Sequence, residues 1–170
     1  MSQQIVILGG GFGGLYAAKR LERRLRRQAD VEVTLVSDAN FMLFTPLLPG
    51  AAAGTLEPRH VVVSLRESLR RTNLISGSVT GLDHGARTVA VRTLDGRDIE
   101  IPFDHLVVAL GSVSRTLPIP GLAEHGVGFK TLPDAIALRN RLLQTLEIAE
   151  TIDDDVERSA WLTYVFVGAG

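Results

Sequence analysis

The sequence contains no cysteine. Disulfide staples, thiolate metal sites and a cysteine nucleophile are therefore excluded from these residues, and the chain suits a reducing compartment. Lysine is nearly absent: there are two Lys beside 16 Arg, and 19 acidic residues bring the formal net charge to -1. That balance argues against a nucleic-acid partner, which calls for an uncompensated basic surface. Long apolar runs are missing too. The most apolar internal stretch, Phe41 to Ala53, is broken by Thr45, Pro46, Pro49 and Gly50 and is too short to span a bilayer. The opening Met-Ser-Gln-Gln has neither the basic start nor the long apolar core of a secretory signal, so a cytoplasmic location is expected. What remains is 170 residues, 45% hydrophobic and 22% charged, enough for a domain with a real core.

The pattern along the chain is that of an α/β protein. Ile5-Val6-Ile7-Leu8 is a continuous apolar run of the kind buried on both faces of a parallel sheet. From Phe12 to about Gln28 the spacing turns helical, with Leu15, Ala18, Leu21 and Leu25 on one face and arginines on the others. Val31 to Val36 is a second strand, completing a βαβ unit. Residues 38 to 59 look irregular, and His60 to Arg71 suggests a short helix. Leu74 to Leu82 is strand-like. Two alternating segments, Arg87 to Thr93 and Asp98 to Ile101, flank Asp95-Gly96 and form a hairpin signal. Phe103 to Leu110 is a further buried strand. Thr131-Leu132-Pro133-Asp134 opens a helix that runs to about Glu150. Residues 151 to 160 form an acidic linker, and Trp161 to Val167 is an apolar strand entering Gly168-Ala169-Gly170. The expected fold is a Rossmann-like, doubly wound parallel sheet with an antiparallel hairpin or meander insertion.

Gly9-Gly10-Gly11-Phe12-Gly13-Gly14 satisfies G-x-G-x-x-G between a strand and an amphipathic helix, the context that gives this motif meaning. Gly9 permits the turn off the strand, Gly11 lets a pyrophosphate approach the backbone, and Gly14 lets the helix pack close. The helix N-terminus, with Phe12 and Gly13 in its first turn, offers free N–H groups to the phosphates. The ribose-binding acid of such sites falls at Ser37, with Asp38 beside it. Ser37 can hydrogen-bond a hydroxyl as a neutral group. Asp38 either supplies the carboxylate or only opens a turn.

An antiparallel insertion before the Phe103 strand resembles the FAD domain of flavoprotein reductases built from two dinucleotide domains. Asn40-Phe41-Met42-Leu43-Phe44-Thr45-Pro46-Leu47-Leu48 closely resembles the N-[YF]-x-x-F-x-P-L-L stretch of type II NADH dehydrogenases, in the pyridine nucleotide-disulfide oxidoreductase superfamily. Ala109-Leu110-Gly111-Ser112, Pro118 to Gly121 and Lys130-Thr131-Leu132 are similar to further segments of that family, in order. The resemblance implies FAD as cofactor and a hydride passed from NADH to the flavin and on to a quinone. It implies that Gly9, Gly11 and Gly14 hold the pyrophosphate and that Ser37 and Asp38 lie near the ribose. Thr45 and Pro46 would approach the isoalloxazine, and Val79 would touch the adenine through its backbone. Ala109, Leu110 and Gly111 would line the cleft. The family commonly has an acid where Ser37 stands, and a polar or aromatic pair where this chain has Pro49-Gly50.

The resemblance also implies a longer protein. Residues 1–150 correspond to an FAD-binding domain without its returning segment. Residues 151–160 correspond to a linker, and 161–170 to the first strand and glycine loop of an NAD(P)H-binding domain. NADH and quinone are the implied small-molecule substrates, and the intact protein is expected at the inner face of the membrane as a peripheral protein. No catalytic acid, base or nucleophile and no metal site is expected in this chain. His60, His84, His105 and His125 are scattered without ligand spacing, Asp153-Asp154-Asp155 lacks the pattern of a calcium loop, and the Arg-rich helix reads as a solvated face. Two other readings stay open: a soluble ferredoxin-type reductase, and a nucleotide-binding redox-sensing module without catalysis.

Overall fold

The computed structural model describes residues 2–168. The chain divides into two units, Met1–Phe44 with Val62–Arg115, and Thr45–Val61 with Thr116–Gly170.

The first unit is built on β1 (Gln3–Leu8), α1 (Phe12–Arg24) and β2 (Val31–Ser37). Short strands β3 (Phe41–Leu43) and β4 (Val62–Ser64) pair antiparallel, Met42 opposite Val63. The second unit's first helix, α2 (Leu48–Ala52), lies between them in the chain. A single turn, α3 (Leu65–Ser68), follows β4. Then come β5 (Asn73–Asp83), β6 (Thr88–Thr93), β7 (Asp98–Pro102) and β8 (His105–Val108). The main sheet has the order β7-β6-β5-β2-β1-β8. Its strands β5, β2, β1 and β8 are parallel, while β5, β6 and β7 form an antiparallel meander. The sheet is therefore mixed and mostly parallel, with the expected insertion.

β5 joins the two halves. Its first residues, Asn73 to Ser76, pair with β2, and its remainder pairs with β6 through a bulge between Val79 and Gly81. Bulges bend a strand and raise its twist, which carries the meander over one face of the sheet. Val89 and Val91 of β6 and Phe103 accordingly pack with Val6, Leu8 and Val36. The opposite face carries α1: Leu15 and Ala18 pack with Ile7, Val33 and Leu35, together with Met42, Leu65 and Leu69. Successive residues of β1 thus feed two cores, as a strand's alternation of faces requires. A continuous apolar run is the result.

Glu22 holds this unit together in a way the periodicity does not reveal. One of its carboxylate oxygens, Oε1, accepts the backbone N–H of Arg70 (3.0 Å), Arg71 (2.8 Å) and Thr72 (2.8 Å), and the Thr72 hydroxyl (2.8 Å). Burial pushes this carboxyl up, but the bonds from Arg71, Thr72 and Arg70 outweigh it, and Glu22 titrates below the usual glutamate range. A group depressed in the folded state contributes stability above its unfolded pKa and loses it as pH falls through the folded value. We expect Glu22→Ala to cost about 1–2 kcal/mol at neutral pH, toward the lower end because the side chain is partly exposed. The cost should shrink under acid. Urea unfolding of both proteins at neutral and acidic pH checks this, and an equal difference at both would refute it.

The second unit contains α2, α4 (Leu122–His125), α5 (Leu132–Glu150) and α6 (Asp155–Trp161). The start of α5 follows the sequence expectation closely. The Thr131 side chain accepts from the Asp134 N–H, and the Asp134 carboxylate accepts from the Thr131 N–H at 2.7 Å, a full capping box. That Thr131 N–H bond, helped by Lys130 N–H, holds the Asp134 carboxyl below its ordinary range.

Four expectations are corrected. The stretch from 38 to 59 is not irregular but holds β3, a 3₁₀ turn at Thr45–Leu47 and α2. His60 to Arg71 is not one helix: β3 captures Val62–Ser64 as a strand, and Ser64 caps a helix that begins only at Leu65. The acidic segment is not wholly linker, because the Asp154 side chain accepts from Glu157 N–H at 2.8 Å and caps α6. Finally, Trp161 to Val167 forms no strand. Trp161 ends α6, and residues 163–168 have no regular structure. Ala169 and Gly170, the close of the expected second glycine loop, lie outside the described residues.

Candidate functional site

β1 lies between β2 and β8, so the chain winds away from it in both directions. In open α/β sheets the crevice for a ligand lies at such a reversal, outside the carboxyl ends of the strands. The glycine loop leaves β1 at this point. Gly9 N–H donates to Val36 C=O at 2.8 Å, and Ala109 N–H donates to Leu8 C=O at 2.8 Å. The loop is thereby pinned to the ends of both neighbouring strands.

The three motif glycines are required for three different reasons. Gly9 has φ +101°, a conformation that L side chains rarely adopt, and a Cβ there would stand 2.3 Å from the Ala109 carbonyl oxygen. Gly14 lies against Gly9, where an added Cβ would fall 1.7 Å from the Gly9 carbonyl oxygen. Gly11 differs: its φ is −72°, and an added Cβ would meet nothing within 4 Å. Among the described residues nothing calls for glycine at this position. The open space there fits a ligand brought against the backbone. No side chain caps α1, and no acidic residue occupies its first turn. Its first N–H groups and the partial positive charge of the helix face that space unopposed.

The same unit brings most of the other expected residues to this end of the sheet. Ser37 closes β2 and is 93% buried, with its hydroxyl oxygen 2.6 Å from where a Cβ at Gly10 would stand. Asp38 is the exposed residue immediately after the strand. The structure thus separates the two ribose candidates: Ser37 backs the loop, and Asp38 presents a free carboxylate beyond it. Ala109 packs on the loop, its Cβ 3.3 Å from where one would stand at Gly13, while Leu110 and Gly111 are exposed. Val79 is half-buried in β5, beyond Ser76, the last residue paired with β2. Its backbone edge away from β6 has no strand partner. Phe12 is partly exposed and meets Phe44 in a tilted ring pair, with centroids 5.5 Å apart and planes at 54°.

Thr45 and Pro46 belong to the second unit and are exposed on its 3₁₀ turn. Gly168 in that unit has φ +115°, close to the +101° of Gly9 after Leu8. Among the described residues no cluster of His, Asp or Glu could hold a metal, and no helix is long and apolar enough to cross a membrane. Two supports of the loop escaped the sequence reading: Leu65, whose Cδ1 lies 2.6 Å from a Cβ placed on Gly10, and the tilted Phe12–Phe44 ring contact. Both join residues distant in sequence, and only the capping pattern Ser64-x-x-Glu67 hinted that a helix begins at Leu65.

A glycine loop at a reversal point, opening an uncapped helix, defines a dinucleotide-binding α/β domain. Residues 3–170 match the family model described as pyridine nucleotide-disulphide oxidoreductase, and the chain belongs to that family. It is 39% identical to the type II NADH:quinone oxidoreductase NdhA of Mycobacterium tuberculosis, over 98% of this chain and 35% of that protein. It is 34% identical to the mitochondrial external alternative NADH-ubiquinone oxidoreductase of Yarrowia lipolytica, over 98% of this chain and 29% of that protein. Among solved structures, NDH2 from Plasmodium falciparum in complex with NADH superposes with a TM-score of 0.81 at 26% identity, over 93% of this chain and 32% of that one. The chain therefore spans about a third of the length of the relatives it matches.

Proposed function

We propose that the glycine loop binds the pyrophosphate of FAD and that the chain is the FAD-binding part of an NADH:quinone oxidoreductase. The observation that carries this is Gly11, a glycine with no steric reason inside the fold, at the mouth of an uncapped helix. The relatives' names supply the reaction. The β6–β7 meander favours FAD over NAD at this loop, because a plain NAD domain continues with further βα units. NADH is then assigned to a second dinucleotide domain, which Val165-Phe166-Val167 and Gly168 begin. The intact protein is assigned to the cytoplasmic face of the membrane, where a quinone would reach it.

When bound, FAD supplies the hydride-accepting chemistry. The chain's own residues bind and orient. Backbone N–H groups of Gly11 to Gly14 receive the phosphate oxygens. The Asp38 carboxylate accepts the ribose hydroxyls. The free backbone edge of β5 at Val79 meets the adenine, and Ala109 to Gly111 close the opposite side of the loop. None of these steps needs a side-chain acid or base.

The test is a flavin absorbance spectrum and an NADH:quinone assay on the intact gene product, with the 170-residue chain alone in parallel. The intact protein should be yellow and active, and the chain alone should not turn over NADH. An intact protein free of flavin, or steady NADH oxidation by the isolated chain, would overturn the proposal.

A further inference from the structure

The loop from Gly9 to Gly14 contains a single side chain. Five of its six residues are glycine, and the sixth is Phe12. Glycine samples more backbone conformations than any other residue, so such a loop has little intrinsic reason to hold one shape. Its two ends are fastened by the backbone. Gly9 N–H donates to Val36 C=O at 2.8 Å, and the first helical bond runs from Leu15 N–H to Gly11 C=O at 2.9 Å. Between these points the N–H groups of Phe12, Gly13 and Gly14 have no acceptor within the helix. The Phe12 ring is therefore the one side-chain handle by which the loop can be held. It is 38% exposed, and it meets Phe44, with centroids 5.5 Å apart and planes at 54°. No other ring pair occurs among the described residues. Phe44 is half-buried and packs against the core that includes Ile7, Leu15, Met42 and Leu65. Phe44 thus ties Phe12 to the core under α1.

We infer that Phe44 is a positioning residue for the cofactor site and acts through Phe12. The inference rests on the assignment of FAD to the glycine loop. Phosphate oxygens there bind backbone N–H groups, and a loop that is disordered before binding must be ordered by it, at a cost in affinity. A ring clamped at the loop's one side chain does this ordering in advance. Phe44 needs no contact with the cofactor to do so. The tilted geometry of the pair lies in the range where aromatic rings attract beyond the burial of their area. Leucine at position 44 would keep an apolar side chain against the same core and lose the ring contact. If Phe44 only filled the core, its replacement would lower stability and leave the folded protein's affinity for FAD unchanged. If it holds the loop, affinity falls even where every molecule is folded.

The experiment is a fluorescence titration of FAD into the intact gene product after its flavin has been removed, well below the unfolding temperature of every variant. Wild type is compared with Phe44→Leu, Phe12→Leu, the double variant and Phe44→Tyr. Phe44→Leu should weaken FAD binding by about fivefold. Phe12→Leu should weaken it by a similar factor, and the double variant should be no weaker than Phe12→Leu alone, because the two residues act as one unit. Phe44→Tyr keeps the ring and should bind FAD as wild type does. A Phe44→Leu protein with a lowered unfolding temperature and unchanged FAD affinity overturns the inference. So do effects of the two leucine variants that multiply in the double variant, since Phe44 would then act without Phe12. Should Phe44→Leu fail to fold, Phe12→Leu decides: full FAD affinity in that variant overturns the inference. A wild-type protein that takes up no FAD sinks the cofactor assignment itself, and this inference with it.

Discussion

Gly14→Ala is expected to lower folding stability by about 3 kcal/mol, a large share of what a domain of this size possesses. The added methyl would lie 1.7 Å from the Gly9 carbonyl oxygen, which is backbone and cannot rotate away. α1 would have to lift off β1, opening the packing of Leu15 and Ala18 on Ile7. Urea unfolding should show the midpoint falling at unchanged slope. Gly13→Ala is the control: its methyl would meet only the Ala109 Cβ at 3.3 Å. If the two variants unfold alike, the tight approach of helix and strand is not what Gly14 provides.

Gly11→Ala should do the reverse. The backbone there has φ −72°, which alanine adopts freely, and the methyl would enter open space. Stability should change by less than about 1 kcal/mol, as a slightly poorer N-cap is offset by a less flexible unfolded chain. Retention of flavin should fall by about a hundredfold or more, since the methyl holds the pyrophosphate off the helix N–H groups. The flavin-to-protein absorbance ratio of the intact gene product, measured beside its unfolding temperature, separates the two effects. An alanine variant with full flavin would refute the role given to Gly11.

The βαβ start was legible because β1 lies between two cores and so needs apolar residues at consecutive positions, while the glycines mark its end. The meander was legible from alternation and from Asp95-Gly96, where Gly96 takes φ +84°. The end of α1 was not: the helix stops at Arg24, before the expected Gln28, and no glycine marks the stop. The middle of the chain was poorly legible because β3, β4, α2 and α3 are three to five residues long. No period can be counted over so few positions. What decides them is pairing between residues some twenty apart, such as Phe41 with Ser64. At the site, the tight turn at Gly9 and the close helix packing at Gly14 were legible from the motif. Ser37 and Asp38 could not be told apart, because the sequence does not say which residue turns inward behind Gly10. The structure separates them by burial.

The segment that failed to become a strand has a consequence of its own. Val165 and Phe166 are 82% and 87% exposed, in a run of β-branched and aromatic residues with its backbone unpaired. Such a run is a template for pairing between molecules. Colloidally, it is an adhesive point on the described chain. A partner strand that covered it would govern the solubility of the material as much as its architecture.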